Sequence, residues 1–383
     1  MRKIQNATGE RVCTYPNTVH FSNVPALVRV SWDNPGGLLF VPENVTISLT
    51  DAAGRIYAES RSVFNNEVVF DVRRFLQTAF ANVNLDRVDY SGKMWTANPN
   101  IRKIEAVVAY TDNNDETVVV VNFSTDAVFG NIERGESTGG NIRRRWFVNY
   151  PFTLDWWVRG GDEFSVVVDG VDRPGITFPN GADAIEGATA SGFSRVLLNV
   201  ESLVDSFNID KRFRIVQPFG YVAKNDRESV GVVAYDLDID RTPKDAEKRV
   251  YLRWIDNLGR FCYFLFRDLG TSDAITGSSY ASADLTNPLI YEGGVNVGTG
   301  VRQDFARVKT RNLGAKGVDR ELFDFLLTLN SSPWVDMFDG YDEDNAPQWH
   351  RVNVSPATVA KSTKTIQDYT VAIVEPTQTT QSI

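Results

Sequence analysis

The stretch Val68-Val-Phe-Asp-Val-Arg-Arg-Phe-Leu76 recurs 128 residues later as Val196-Leu-Leu-Asn-Val-Glu-Ser-Leu-Val204. Both copies begin with the apolar residues that favour a strand. Each continues with an Asp or an Asn, at Asp71 and Asn199, ahead of apolar residues at helical spacing. Because Asp and Asn are preferred helix N-caps, both copies predict a strand that runs into a short helix.

Two further pairs of segments match in the same order along the chain. Tyr15-Pro-Asn-Thr-Val19 matches Tyr150-Pro-Phe-Thr-Leu154, and Val45-Thr-Ile-Ser-Leu-Thr-Asp51 matches Phe164-Ser-Val-Val-Val-Asp-Gly170. The alternation of apolar and polar residues in the second pair is typical of half-buried antiparallel strands. Three matches in one order predict an internal duplication.

The chain of 383 residues is 42% hydrophobic, which suits two or three cores of ordinary size rather than one. We predict a β-sandwich copy over residues 1–131, a polar glycine-rich linker over 132–147, a second copy over 148–245 and a C-terminal β-rich module over 246–383. The fold class is mainly β, with two tandem antiparallel β-sandwich-like domains, each with a short helix, and a C-terminal β+α module.

The C-terminal module has its own pattern. Residues 319–329 predict a helix that begins at an Asp cap and has a leucine-rich stripe. The segments 334–338 and 349–354 predict a hairpin around an acidic turn, and a stretch rich in Gly, Ser and Thr predicts a loop over about 269–300.

Charge and composition exclude several classes of protein. A net charge of −9 and a pI near 5.0 argue against nucleic-acid binding, which depends on clustered Lys and Arg. The one dense basic run, Arg143-Arg-Arg145, is interpreted as a solvated strand edge or a subunit contact, with an anion or nucleic-acid contact as the alternative. The sequence shows neither a secretory signal nor an apolar run long enough to span a membrane. Cys13 and Cys262 are expected to be free thiols, consistent with synthesis in a reducing compartment.

The segment Gly135-Glu-Ser-Thr-Gly139 matches the G-x-S-x-G pattern of a serine hydrolase. That chemistry needs a buried strand before the serine and a helix after it. Here a polar loop precedes Ser137 and a strand follows, and His20 and His350 are the only histidines in the sequence. The sequence therefore predicts a protein that is not an enzyme and has no catalytic residues.

Metal and cofactor motifs are also incomplete. Asp236-Leu-Asp-Ile-Asp240 with Glu247 resembles an EF-hand loop, but Arg241 replaces the required glycine and Pro243 interrupts the loop, so a strand is predicted. The acidic turn over 339–345 is interpreted as a solvated hairpin tip, with Ca²⁺ as the alternative, and the glycine-rich segment 293–300 lacks a following helix. We predict no metal site and no cofactor.

The eight tryptophans suggest a carbohydrate-binding alternative, because exposed aromatic rings stack on sugars. Trp156 and Trp157 are neighbours in a predicted strand and so point to opposite faces. At least one of them is therefore expected in the core.

The C-terminal third carries a resemblance to a known class of protein. Leu252-Arg-Trp-Ile-Asp-Asn-Leu-Gly259 with the following aromatic strand, and Ser332-Pro-Trp-Val-Asp-Met-Phe-Asp-Gly340 followed by residues 349–354, resemble segments of virion proteins from tailed phages and prophages of Bacteroidetes-type hosts. The resemblance implies a tail, ring or baseplate component that docks into a homo-oligomeric ring and onto other virion proteins. It implies localisation in the virion after assembly in the host cytoplasm; the alternative is a carbohydrate- or receptor-binding adhesin.

Overall fold

The structure is a computed structural model that describes residues 2–5, 11–16, 19–32, 41–80, 88, 90, 94–97, 101–130, 137–158, 161–177, 194–207, 209–210, 212–224, 227–241, 249–280, 301–356, 365–375 and 378–381. The chain divides into two compact units. Unit 1 comprises Met1–Thr242 and Ile255–Cys262, and unit 2 comprises Pro243–Trp254 and Tyr263–Ile383. Both predicted sandwich copies thus belong to unit 1.

The first half of unit 1 holds ten strands and one helix among its described residues. They are β1 (Arg2–Gln5), β2 (Arg11–Tyr15), β3 (Val19–Phe21), β4 (Leu27–Trp32), β5 (Asn44–Asp51), β6 (Ile56–Ser62), β7 (Glu67–Asp71), α1 (Arg73–Thr78), β8 (Trp95–Ala97), β9 (Ile101–Thr111) and β10 (Thr117–Val128).

The remaining elements continue in chain order. They are β11 (Gly140–Phe147), β12 (Thr153–Val158), β13 (Glu163–Val168), β14 (Val171–Thr177), β15 (Ser194–Asn199), α2 (Val200–Phe207), β16 (Phe213–Lys224), β17 (Arg227–Asp240), β18 (Arg249–Ile255), β19 (Phe261–Tyr280), β20 (Val301–Asp319), α3 (Arg320–Ser331), β21 (Val335–Tyr341), β22 (Pro347–Val354), β23 (Ile366–Val374) and β24 (Gln378–Gln381). The predicted mainly β fold class is confirmed.

Unit 1 contains two sandwiches. In the first, sheet A has the strand order β1-β2-β4-β7 and sheet B the order β3-β10-β9-β5-β6. Tyr15 of sheet A stacks on Phe123 of sheet B, with ring centroids 4.8 Å apart. In the second, sheet C has the order β12-β15-β8 and sheet D the order β11-β17-β16-β13-β14. Trp156 of sheet C packs against Phe164 and Tyr235 of sheet D.

Sheets B and D have the same strand order and the same pairing directions. Each has antiparallel hairpins and one parallel edge strand, which is β3 beside β10 and β11 beside β17. The all-antiparallel prediction is therefore wrong for this pair, because the chain leaves each edge strand through a turn and crosses to the opposite sheet. The first turn follows Phe21 and the second follows Phe147, and in each the residue three positions later donates its N–H to the phenylalanine carbonyl.

These two turns show which residues correspond in the two sandwiches. Phe21-Ser-Asn-Val-Pro25 corresponds to Phe147-Val-Asn-Tyr-Pro151, at an offset of 126 residues. The predicted match of Tyr15 with Tyr150 is wrong, since Tyr15 ends strand β2 whereas Tyr150 lies in the turn after β11. The offset of 128 for the strand before each helix agrees with the pairing, because Leu27 faces Asp71 and Thr153 faces Asn199.

Two boundaries differ from the predicted ones. Residues 140–147 were assigned to the linker but form β11, which is held by backbone pairing along its whole length to β17. The strand Trp95–Ala97 lies within the range predicted for copy 1, yet it pairs with β15 in sheet C. Both departures come from non-local pairing, which leaves no periodic signal in a short or charged segment.

Unit 2 is built on one seven-stranded sheet, sheet E, with the order β19-β18-β21-β22-β23-β20-β24. An additional pairing of β19 with β20 closes six of these strands into a ring. The predicted hairpin around the acidic turn is confirmed as β21 and β22. The predicted loop over 269–300 is wrong for 269–280, which continue β19; residues 281–300, with the glycine-rich segment 293–300, lie outside the described residues.

The element order of the two sandwiches occurs a third time in unit 2. Each set has a hairpin, a strand that leads into a helix, and a second hairpin; the first-hairpin strands are β5–β6, β13–β14 and β18–β19. In the sheets these hairpins give the orders β10-β9-β5-β6, β17-β16-β13-β14 and β22-β21-β18-β19. The repeats in the sequence predicted two of these three sets.

The helix caps follow the same plan with one deviation. Asp319 accepts a hydrogen bond from the N–H of Leu322 and caps α3, as predicted. Asn199 accepts from the N–H groups of Glu201 and Ser202 ahead of α2. Asp71 does not cap α1, because Val72 is the N-cap residue of that helix. The Asp71 carboxylate instead accepts a hydrogen bond from the N–H of Arg73, the first helical residue. None of the described helices is long and apolar enough to cross a membrane.

Candidate functional site

A buried ion pair lies on the outer face of sheet C. The guanidinium of Arg195 on β15 donates to the carboxylate of Asp155 on β12 through Nε and Nη2, at 2.8 and 3.1 Å. Each side chain is only 2% exposed. Breaking such a pair leaves an uncompensated buried charge, so its two members are strongly interdependent.

The Arg195 guanidinium also holds the turn between β18 and β19, whose residues belong to unit 1. Its Nη2 donates to the carbonyl oxygens of Leu258 and Gly259, at 3.2 and 2.9 Å. The side chain of Leu258 completes an apolar cluster with Phe21, Val128 and Trp157. One arginine therefore fixes both the sheet and the turn that covers it.

The backbone of Phe129 and Gly130 lies close to the backbone of this turn. A Cβ atom on Gly259 would overlap the carbonyl oxygen of Phe129, and Gly259 has a φ of +72°. A Cβ on Gly130 would lie 2.6 Å from the carbonyl oxygen of Asn257. Glycine is needed at both positions because no side chain fits between the two backbones.

A small cavity lies beside the ion pair, with a volume of about 20 Å³. Its walls include Trp156, Arg195, Tyr235 and Arg260. The Tyr235 hydroxyl donates to the backbone carbonyl of Asp155 at 2.9 Å, and burial raises the pKa of Tyr235 to about 12. The cavity is large enough for one water molecule, which makes it a part of the packing rather than a substrate pocket.

The first sandwich carries the same ion pair with its signs reversed. Arg29 on β4 faces Val69 as Asp155 faces Leu197, and Glu67 on β7 takes the position of Arg195. Arg29 and Glu67 form an ion pair whose side chains are 58% and 28% exposed. The position is thus a shared feature of the two sandwiches, and it is covered in one and open in the other.

The covering turn also has a counterpart in the first sandwich. Asp256-Asn-Leu-Gly-Arg260 and Asp51-Ala-Ala-Gly-Arg55 are both first-hairpin turns. In each, the Asp carboxylate accepts from the N–H groups two and four residues later and pairs with the Arg side chain. The glycine has a φ of +76° or +72°. The two turns therefore share one conformation.

Asp51 gives the first turn a pH-dependent contribution to stability. Burial raises the pKa of Asp51, but hydrogen bonds from Arg55 and Ala53 outweigh burial and hold the pKa below its ordinary value. A carboxyl with a lowered pKa stabilises the fold above its unfolded-state pKa, about 3.9, and loses this contribution as the pH falls through the folded value. Asp51→Asn should therefore lower the free energy of unfolding by about 1–3 kcal/mol at pH 7 and by less at pH 3. Urea unfolding of both proteins at the two pH values tests this, and a pH-independent difference would contradict it.

The structure does not bring a hydrolase site together in the described residues. Ser137 Oγ accepts the N–H of Gly139, at 3.2 Å, and has no hydrogen bond to a histidine. His20 Nε2 lies 3.3 Å from the carbonyl oxygen of Val24, and His350 Nδ1 lies 2.6 Å from Asp339 Oδ2. Gly135 and Glu136 lie outside the described residues.

The acidic candidates are engaged in structural contacts. Asp236 and Asp238 lie in strand β17, as predicted. Asp236 pairs with Arg214 of β16, and Asp238 pairs with Arg143 of β11 and with Arg212, which directly precedes β16. Asp342 caps its own hairpin turn through the N–H groups of Asp344 and Ala346. Among the described residues no group of three or more His, Cys, Asp or Glu could hold a metal ion. Pro243 and Glu247 lie outside the described residues.

The remaining candidates are placed as follows. The run Arg143–Arg145 lies on β11, an outer strand of sheet D as described. All eight tryptophans are buried or half-buried, so no exposed indole ring offers a stacking platform for a sugar. Cys13 and Cys262 are free, as predicted. Both are buried, and burial raises the pKa of both thiols, that of Cys13 to about 12.

No protein-family model and no curated protein sequence matches the chain. The Arg195 site was not among the sequence-predicted residues. The signal that was available is the repeated Asp-x-x-Gly-Arg turn at residues 51–55 and 256–260.

Proposed function

We propose that this chain is a structural component of a phage-like virion, in a tail, ring or baseplate, and that it acts by docking to other subunits. The observation that carries the proposal is the long antiparallel ribbon that β19 and β20 form with each other. The resemblance of the C-terminal third to virion proteins supplies the biological setting.

The ribbon continues beyond the ring of strands in sheet E. Its pairing runs from Arg267 opposite Gly314 to Tyr280 opposite Val301. Fourteen residues at about 3.4 Å each give the ribbon a length of about 45 Å. Strands of 20 and 19 residues are several times longer than the usual five or six.

The ribbon has a surface suited to a partner. Leu269 and the five residues after it are exposed on β19. The two edges of the ribbon differ. The edge formed by β20 is paired with β23 and β24, whereas β19 beyond Asp268 pairs with β20 alone in the described part of the chain. From Ser278 opposite Gln303 to Tyr280 opposite Val301 the described ribbon has only these two strands, and ribbons of two strands are marginally stable in water. The open edge of β19 beyond Asp268 is a template for pairing with another chain. Both properties favour burial of the ribbon in an assembly.

Exposed apolar side chains mark other strands at the edges of unit 1. Ile56 on β6 and Val171 on β14 are exposed, and both strands are outermost in their sheets as described. Phe64, in the connection after β6, is exposed to 77%.

The experiment is mass photometry and electron microscopy of the purified full chain over a range of concentrations. We expect a closed oligomer. The comparison is a shortened variant in which Asn-Gly replaces residues 274–308 and joins the paired residues Asp273 and Lys309 through a two-residue turn. It should keep the β-sheet circular dichroism of the full chain but remain a monomer.

Two results would count against the proposal. One is a full chain that stays monomeric at every concentration, and the other is a shortened variant that assembles as well as the full chain. A glycan array tests the carbohydrate-binding alternative, and specific binding by the monomer would favour it.

A further inference from the structure

We propose that the outer face of sheet A around Arg29, Ser31 and Glu67 docks a second copy of this chain, which contacts it through the turn Asp51–Arg55. The inference rests on the proposed assembly function and specifies one of its contacts. The described part of the chain has one place where an equivalent turn already covers an equivalent face.

That place is the outer face of sheet C. Trp157 and Arg195 are directly paired across β12 and β15, as Ser31 and Glu67 are across β4 and β7. The turn over 256–260 covers the first of these two faces through hydrogen bonds to Arg195 and through the apolar cluster of Leu258 with Trp157. The chain itself therefore shows how this turn type binds this sheet position.

The corresponding face on sheet A is more exposed to solvent, and no described segment covers Arg29. Val28, Val30 and Trp32 alternate with Arg29 and Ser31 along β4 and point into the core. Arg29 is 58% exposed, in contrast to the 2% of Asp155. Arg29 stands at the position of Asp155, and Glu67 stands at the position of Arg195, so on sheet A the guanidinium lies on the neighbouring strand of the ion pair. From there it can donate to the carbonyl oxygens of a docked turn, the role that Arg195 has on sheet C.

The corresponding turn is also open. Residues 52–55 are exposed, and a Cβ on Gly54 would meet nothing within 4 Å. The would-be Cβ of Gly259 overlaps a neighbouring backbone instead. The turn is held in the binding conformation, because Arg55 pairs with Asp51 and also donates to the carbonyl oxygens of Thr78 and Ala79 at the end of α1.

The partner is a second copy because the same sandwich offers both the open turn and the open face. Ala53 takes the place of Leu258, and Ser31 takes the place of Trp157, so the inserted side chain and the residue that meets it are both smaller. A turn of one copy on the face of the next is a heterologous contact. Repetition of such a contact builds a ring if the rotation closes and a filament if it does not.

The test is disulfide trapping between two variants of the full chain that each carry one introduced cysteine. Ser31→Cys and Ala53→Cys are purified separately, mixed and oxidised; Cys13 and Cys262 are buried and stay unreactive. The control replaces Ala53→Cys with Asn114→Cys, which lies in another exposed Asp-capped turn that lacks the Gly-Arg sequence. We expect a disulfide-linked dimer at least about tenfold more abundant in the first mixture than in the control.

Equal trapping in the two mixtures would overturn the docking face. If the full chain assembles in mass photometry while the Ser31→Cys and Ala53→Cys mixture traps no dimer above the control, the assembly proposal stands and this contact is wrong. If the chain is a monomer and the mixture traps no dimer, both fail. Preferential trapping with a monomeric full chain supports the contact and removes the evidence for a stable ring.

Discussion

Replacement of Arg195 by methionine is expected to lower the free energy of unfolding by about 3–5 kcal/mol, because Asp155 would remain as a buried charge without a partner. The substitution also removes the two hydrogen bonds to the turn carbonyls of Leu258 and Gly259. Urea unfolding followed by tryptophan fluorescence measures the change through linear extrapolation. The amides of residues 255–262 should exchange faster in the variant, since the turn loses its main polar anchor.

The matched control is Arg29→Met in the first sandwich. It removes an arginine from the equivalent ion pair, but there the pair is largely exposed to solvent, so the expected loss of stability is much smaller than for Arg195→Met. Similar losses in the two variants would show that burial of the ion pair does not set its importance. A smaller loss in the double variant Asp155→Leu with Arg195→Met would show that the unpaired carboxylate causes most of the cost.

The sequence predicts those elements whose stability is local. The alternation in Val45–Leu49 appears as strand β5, and the capped apolar stripe of residues 319–329 appears as α3. Both patterns record which side of an element faces the core. The recurrence of the segment 68–76 at 196–204 predicted two strands that lead into helices, and both occur in the structure.

The ribbon could not be predicted because its stability is not local. Residues 269–280 are rich in Gly, Ser and Thr, and the described side chains among them are largely exposed, so they lack an apolar period. Cross-strand pairing with β20 makes them a strand. The run Arg143–Arg145, interpreted as a solvated strand edge or a subunit contact, falls inside the predicted linker for the same reason, whereas parallel pairing with β17 makes residues 140–147 one strand.

The Arg195 site was missed because its parts are far apart in the chain. Asp155 and Arg195 are 40 residues apart, and the turn they support begins about 60 residues later. Each charged residue lies alone in an apolar strand, where a buried charge contradicts the simple pattern. Only the pairing of β12 with β15 places the two charges together, and only comparison with Arg29 and Glu67 shows that the position recurs.

Replacement of Gly259 by alanine should cost about 2–5 kcal/mol of stability, because two penalties add at this residue. A positive φ costs a non-glycine residue about 1–2 kcal/mol. The new Cβ would also overlap the carbonyl oxygen of Phe129, and a forced shift in a packed interior costs about 1–3 kcal/mol more. Relief of the overlap requires the turn to move away from Phe129 and from the guanidinium of Arg195.

Gly54→Ala separates the two penalties within the same protein. Gly54 has a φ of +76° in the same type of turn, but its Cβ would meet nothing within 4 Å. Its expected cost is therefore the conformational term alone, about 1–2 kcal/mol. Urea unfolding of the two variants measures the difference, and hydrogen exchange at residues 255–262 should increase in Gly259→Ala only. Equal costs and unchanged exchange would mean that the turn is not held against Phe129, and that the covered face of sheet C cannot serve as the precedent for docking on sheet A.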